Sequence, residues 1–327
     1  MKRLLFFYFT AALLVGVLSA GHAAALNFSN LFVIGDSLVD AGNTQELATA
    51  FGLDDPTPAA DGYFQGRFAN GPNFADVVNQ AVEGTNSVQS LVDGGDNFGF
   101  GGATARDNGD FLPDAVSQTN DLIGAQGGSV DPNALYLINV GGNDVIDVVL
   151  GNLTGGLTTA EQQQVLADAV SGITTSIGLL QGAGAQNILF VGVGDVGSIP
   201  LVSSLGTPAS DLGRFVSAGL NGSIQAALPG GVQFFDTMAL FDAVAANPEL
   251  FGLPAGLDLT TSCVGAGQNV PDATCSDFAF FDDVHPTTQL AQILGDSVVA
   301  AVPEPGTALL LMLGLAGLSA TGRRAQA

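Results

Sequence analysis

Apolar residues gather along this chain in short, almost unbroken runs, and Gly, Asn or Asp ends each one. Residues 30–34, 134–140, 187–193 and 231–235 are four such runs, rich in Val, Ile, Leu and Phe. Runs of this length with little alternation predict strands covered on both faces. Between them the period changes. Over residues 159–181 the apolar positions Val165, Leu166, Ala169, Val170, Ile173 and Ile177 fall on one helical face, with Thr158 or Thr159 able to cap the helix and Glu161 in its first turn. Further helices are predicted over 73–82, 112–123, 209–227 and 286–300, the last with Pro286 near its start, where a missing N–H costs little. Strand and helix in alternation imply a parallel sheet with right-handed crossovers. Functional groups in such sheets lie just beyond the carboxyl ends of the strands, where Gly35-Asp36-Ser37 and Gly141-Gly142-Asn143-Asp144 stand. No internal repeat or linker divides the body.

The two ends carry patterns of their own. Met1-Lys2-Arg3, an apolar stretch to Ala20 and then Gly21-His22-Ala23-Ala24-Ala25 have the charged start, apolar middle and small-residue exit of a secretory signal, with cleavage expected between Ala23 and Leu26. An uncleaved membrane anchor is the competing reading. At the other end, Pro303-Glu304-Pro305 precedes the apolar run 308–318 and then Arg323-Arg324. That run is shorter than the ~20 residues that span a bilayer comfortably. The three parts in this order resemble the PEP-CTERM sorting tail of exported bacterial proteins, with an ordinary C-terminal anchor as the alternative. The resemblance implies an exosortase-type sorting protease as partner, and an association with exopolysaccharide. The expected organisation is therefore a signal at 1–25, one domain at 26–302 and a sorting tail at 303–327, with the protein exported to the cell surface or beyond, and the tail a transient membrane anchor or a lasting one.

Charge narrows the partners. The chain has 31 acidic and 7 basic residues and a net charge of −24. Lys2, Arg3, Arg323 and Arg324 lie in the ends, so the body keeps only Arg67, Arg106 and Arg214. Nucleic acid is excluded as a partner, because phosphate binding needs a basic surface, and anionic membranes would repel the body. The Gly/Asp-rich segment 94–102 is faintly like calcium-binding repeats, but no period recurs. Two cysteines, Cys263 and Cys275, in an exported chain suggest a disulfide that would close a loop just before His285. Two cysteines and one histidine make no zinc set, and neither metal nor cofactor is expected.

Four segments carry candidate chemistry. Gly35-Asp36-Ser37-Leu38 puts a serine at a strand-to-helix turn, although Gly-Asp-Ser alone also suits an ordinary turn with a capping serine. Val39 stands where a Gly-x-Ser-x-Gly elbow would need its second glycine, which argues against the α/β-hydrolase fold. The stretch Asn97-Phe98-Gly99-Phe100-Gly101-Gly102 could bring backbone close to a ligand, or be one more Gly-rich turn in a chain with 45 glycines. Asn143 could aim its amide at a developing oxyanion, or sit in a turn. Asp282-Asp283-Val284-His285 spaces a carboxylate three residues from an imidazole, so that Asp282 can orient it. A serine oxygen needs a base to take its proton. With His22 in the signal, His285 is the body's only histidine, so any serine chemistry with a histidine base must use it.

Together and in this order the four blocks resemble the GDSL, or SGNH, hydrolase family. Tyr63-Phe64-Gln65-Gly66-Arg67-Phe68-Ala69-Asn70-Gly71-Pro72 is similar to a stretch of its lipase and esterase branch, and Asp195-Val196-Gly197-Ser198-Ile199-Pro200 matches it more loosely. The resemblance spans roughly residues 30–300. It implies a three-layer α/β/α, flavodoxin-like fold with a central, mostly parallel five-stranded sheet. It also implies roles: Ser37 as nucleophile, His285 as base, Asp282 as its orienting carboxylate, and an oxyanion hole from the Ser37 N–H, the Gly101 N–H and the Asn143 amide, with Gly102 next to Gly101 as the other reading. The activity implied is hydrolysis of a carboxylic ester through an acyl-enzyme, falling at acid pH as His285 takes up a proton. The family leaves the ester open among lipid, short acyl and O-acyl polysaccharide, and the sorting tail tilts the expectation toward glycan O-acyl groups. A non-catalytic acidic surface or matrix protein on the same fold is the competing function.

Overall fold

A computed structural model describes residues 26–267 and 274–302; the signal and sorting-tail segments read from the sequence fall outside them. Four parallel strands form the centre: β1 (Leu31–Gly35), β2 (Leu135–Asn139), β3 (Asn187–Val191) and β4 (Val232–Phe235), side by side in that order. Pairing runs in register from Leu31 opposite Leu135 to Gly35 opposite Asn139, so the carboxyl ends of β1 and β2 finish together. The fifth position, outside β1, is taken by residues 96–100. Val33 N–H donates to Asp96 O, and the N–H groups of Phe98 and Phe100 donate to Val33 O and Gly35 O. Its outer edge is closed by backbone and side chain together: Asn97 N–H donates to Gln89 O and Leu91 N–H to Asn97 O, and Asn43 Nδ2 donates to the carbonyls of both Asn97 and Gly99 at 2.8 Å. An edge so covered offers no row of free groups to another strand. Counted along the chain, this places the strands in the flavodoxin-like order 2-1-3-4-5.

Alternate residues of each strand face opposite layers, as a period of two requires. Phe32, Ile34, Tyr136, Ile138, Ile188 and Phe190 share a core with α3 (Ala115–Ala125), α4 (Gly142–Thr154), α5 (Thr159–Ala183) and α7 (Thr207–Ala227). Leu31, Val33, Leu135, Leu137, Leu189 and Val191 pack on α2 (Phe74–Glu83) and α9 (Thr288–Ala301). The remaining elements are α1 (Asn43–Phe51), the short α6 (Pro200–Ser203), α8 (Thr237–Ala246) and a two-stranded pair, β5 (Asp258–Ser262) with β6 (Phe278–Phe280).

The predicted helices are present with shifted ends, and Thr158 is the cap of α5, in a reciprocal box with Glu161. The helix expected from Pro286 begins at Thr288 instead. Pro286 and Thr287 are spent on docking against β6, where the Thr287 N–H donates to Ala279 O and its hydroxyl to Phe278 O. The sequence pattern does not predict helices α1, α4, α6 and α8.

Candidate active site

Chain reversal places the candidate residues. From β1 the chain passes toward the edge segment 96–100, whereas β2 lies on the other side of β1; in this fold the switch between the two directions opens a crevice at the strand carboxyl ends. Ser37 leaves β1 there and Asn143 leaves β2 there, and both line one cavity. Gly141, which precedes α4, has φ of 116°, a conformation side-chain-bearing residues adopt with strain. It lets the chain turn sharply enough for Asn143 to fall in the first turn of α4.

His285 comes from the loop between β6 and α9. Its Nε2 lies 2.7 Å from Ser37 Oγ, and its Nδ1 lies 2.9 and 2.8 Å from the two oxygens of Asp282. Asp282 is held in place by the backbone, accepting from the N–H groups of Val284 and His285. Burial works against the charge on Asp282, but the adjacent imidazole and these N–H donors outweigh it and keep its pKa below the usual carboxylate value. An ionised carboxylate only accepts, so Nδ1 carries the proton and Nε2 presents its lone pair to the serine hydroxyl. Ser37 and His285 are each only 8% exposed. Asp283, next door, accepts from the Ser262 hydroxyl instead and takes no part in this chain of contacts.

The loop bearing His285 is braced from several directions. Phe281 N–H donates to His285 O, Leu201 N–H to Asp283 O, and Cys263 N–H to Phe280 O. Cys263 and Cys275 form the expected disulfide, beside Phe281. The Phe68 ring lies against the imidazole with centroids 5.0 Å apart.

On the opposite side, Asp40 knits two of the Gly-rich blocks together. Its carboxylate accepts from the N–H groups of Gly42 and Asn43, from the Thr44 hydroxyl and from the N–H of Gly101 at 2.8 Å. This corrects the expectation that Gly101 offers its N–H to a substrate: that hydrogen is committed to Asp40 and to Thr44 Oγ1 at 2.6 Å. Gly101 is needed for a different reason, since a Cβ there would sit 2.3 Å from the Phe68 ring. The N–H groups of Ser37 and of Gly102 take no hydrogen bond among the described residues. Asn143 Nδ2 donates one hydrogen to Ala103 O at 2.8 Å and has a second to give.

Sequence reasoning missed three groups here. Tyr63 donates its hydroxyl to Asp282 Oδ2 at 2.8 Å, and burial, followed by that carboxylate, pushes its own pKa well up. Its place at the head of the Tyr63–Pro72 stretch was the available signal. Asp36, beside the serine, is buried, and desolvation lifts its pKa to about 7 despite the opposing pull of the Leu38 N–H and His285. Asp144, beside Asn143, is raised to about 6 by the same cause, although it accepts from Ala105 N–H.

A family model described as GDSL-like Lipase/Acylhydrolase matches residues 31–298. A PEP-CTERM protein-sorting motif matches residues 301–324. A GDSL esterase/lipase of Arabidopsis thaliana is 26% identical, aligned over 86% of this chain and 93% of its own. Lipase 1 of Photorhabdus luminescens is 28% identical over 64% of this chain and 29% of its own. A solved structure of a lipolytic protein of the G-D-S-L family from Veillonella parvula DSM 2008 aligns with a TM-score of 0.41 and 11% identity, over 83% of this chain and 97% of that one.

Proposed function

The chain belongs to the GDSL-like lipase/acylhydrolase family, and from that premise we propose that it is an exported serine ester hydrolase working through an acyl-enzyme. The sorting motif at residues 301–324 marks it for export and surface sorting. The observation that carries the reaction is the unbroken line from Ser37 Oγ through His285 to Asp282, with contacts of 2.7 and 2.8 Å.

In this reading Ser37 Oγ attacks the ester carbonyl carbon while His285 Nε2 takes its proton, and the carbonyl π electrons move onto oxygen. The oxyanion is met by the Ser37 N–H, the free hydrogen of the Asn143 amide and the Gly102 N–H, which replaces Gly101 because that N–H is already bonded. As the intermediate collapses, the bond to the alcohol oxygen breaks and His285 returns the proton to it. Water then attacks the acyl carbon with the same base, and the acid leaves as Ser37 Oγ is reprotonated. Asp282 holds the imidazole in the required tautomer throughout and stabilises its charged form.

The test is turnover of chromogenic acetate, butyrate and long-chain esters by residues 26–302. Ser37→Ala and His285→Ala should each lower kcat by about 10⁶, and Asn143→Ala by about 10²–10³. Activity should decline at acid pH, because a protonated imidazole cannot accept the serine proton. Either triad variant turning over at the wild-type rate, while folded, would contradict the mechanism.

A further inference from the structure

We propose that the Cys263–Cys275 disulfide is a positioning element for the catalytic base, and that the chain reaches full turnover only once this bond has formed, after export. This rests on the serine-hydrolase reading above and adds a condition to it.

Asp282 and His285 do not stand on the central sheet. They sit in the loop that leaves β6, and β6 pairs with β5 in a two-stranded unit apart from β1–β4. A pair of strands alone is marginal in water. Three consecutive residues at the end of β5 hold the stem of the loop. The Ser262 hydroxyl donates to Asp283 Oδ1, the Cys263 N–H to Phe280 O and the Val264 N–H to Phe281 O. Phe281 in turn donates its N–H to His285 O at 2.8 Å. The imidazole therefore keeps its place only while residues 262–264 stay against 280–283.

The crosslink sits where that dependence is greatest. Cys263 is the middle residue of the three, and Cys275 enters the turn before β6, where its O accepts from the Phe278 N–H. The bond joins the two strands across 12 positions. Both cysteines pack with Phe281 and Tyr63 in one small cluster, and Tyr63 donates to Asp282 Oδ2. The cluster thus reaches the base through the Phe281 backbone and the carboxylate through the phenol. Cys275 also has φ of 53°, a conformation that side-chain-bearing residues adopt at a cost and that the bond to Cys263 helps to hold.

Reduction draws two electrons and two protons from a dithiol, leaves a thiol on each cysteine and turns the dithiol into a cyclic disulfide. Without the crosslink the opened strand pair gains weight by about a hundredfold. The base then spends less time against Ser37, whereas the cavity walls on α4, α8 and α9 stay in place. Thiols persist in a reducing cytoplasm and pair outside it, so the chain stays nearly inert until it is exported.

The test follows hydrolysis of a chromogenic butyrate ester by the exported protein in three states: oxidised, treated with dithiothreitol under native conditions, and reoxidised with glutathione disulfide. Alkylation and intact mass count the thiols. With two thiols present, kcat should fall at least about tenfold while KM stays within about twofold, and glutathione disulfide should restore it. Both cysteines are buried, so a variant supplies the uncrosslinked state without reductant. Cys263→Ala/Cys275→Gly suits the backbone at 275; it should show the same loss of kcat and no response to dithiothreitol, with thermal unfolding as the check that it folds. A crosslink that served stability alone would lower the unfolding midpoint and leave kcat per folded chain unchanged. Ser37-dependent turnover at the oxidised rate in the fully reduced protein, or in the folded variant, would overturn the inference and leave the hydrolase standing. Absence of Ser37-dependent turnover by the oxidised protein on every ester would overturn the hydrolase reading and this one with it.

Discussion

On the Ser37 side of the cleft Asp40, Arg67 and Asp282 are tied into hydrogen-bonded clusters, whereas the facing wall carries apolar side chains left half open. Strands β1 and β2 are buried along all five residues, while no residue of β4 is fully buried. Behind the turn that follows Ser37 in the chain, the buried Arg67 bonds Asp76 through two nitrogens and also reaches the carbonyls of Ala41, Gln65 and Val88. Across the cleft the comparable arginine, Arg214, is exposed and clasps two carboxylates at the rim. The contrast follows from the two tasks. A nucleophile, a base and oxyanion donors must be held to fractions of an ångström, which crosslinks of fixed geometry achieve. A wall that borders the cavity needs only shape and apolar surface.

The strongest way to break this contrast is to remove the latch on the rigid side. Arg67→Ala leaves Asp76 a buried carboxylate without its cation, and should cost about 3–5 kcal/mol in denaturant unfolding. Arg214→Ala, on the exposed side, should cost no more than about 1 kcal/mol. Equal losses would show that the two sides do not differ as described.

Asp36 sharpens the comparison through pH. Its folded pKa of about 7 lies above the ordinary 3.8 because it is buried. The folded chain therefore binds that proton more tightly than the unfolded one. Its contribution to stability is complete below the unfolded value and declines as pH rises toward 7, by up to about 4 kcal/mol. In Asp36→Asn that part of the slope should vanish, while the Leu38 N–H keeps an oxygen acceptor. Unfolding midpoints between pH 4 and 8 measure it, and parallel curves for the two proteins would contradict the assignment.

The smallest effect is expected at Tyr63. Removing its hydroxyl in Tyr63→Phe frees one oxygen of Asp282 but leaves the imidazole contact, so kcat should fall about tenfold with KM little changed. A change confined to stability would mean that the phenol only packs against Phe281 and Phe68.

The same contrast explains what the sequence revealed. Strands β1, β2 and β3 were legible because a sheet covered on both faces demands apolar residues at nearly every position, whereas the edge segment 96–100 was not, because its glycines read as a turn. Ser37, Asp282, His285 and Asn143 were legible because their chemistry permits few residue types, and the body holds a single histidine. The choice between Gly101 and Gly102 was not, since it depends on which way a peptide plane faces, and Asp40 settles that for Gly101 from a distance of 61 positions. Helix α4 was hidden by its glycines and by the β-branched run Val145-Ile146, Val148-Val149, which lowers helix propensity; burial of Val145, Val148 and Val149 in the core outweighs it. The facing wall was illegible for a simpler reason. Ile146, Phe241 and Phe280, which line the cavity, are ordinary core residue types, and only the folded chain leaves them uncovered.

The central claim is that Ser37 becomes acylated with His285 as its base. The direct measurement is the intact mass of residues 26–302 after exposure to a fluorophosphonate, from which an activated serine oxygen displaces fluoride to form a stable phosphonyl ester. One adduct per chain, mapped to Ser37, absent in Ser37→Ala and strongly slowed in His285→Ala, is the predicted result. A folded wild-type protein that stays unlabelled, or carries its label elsewhere, would contradict it.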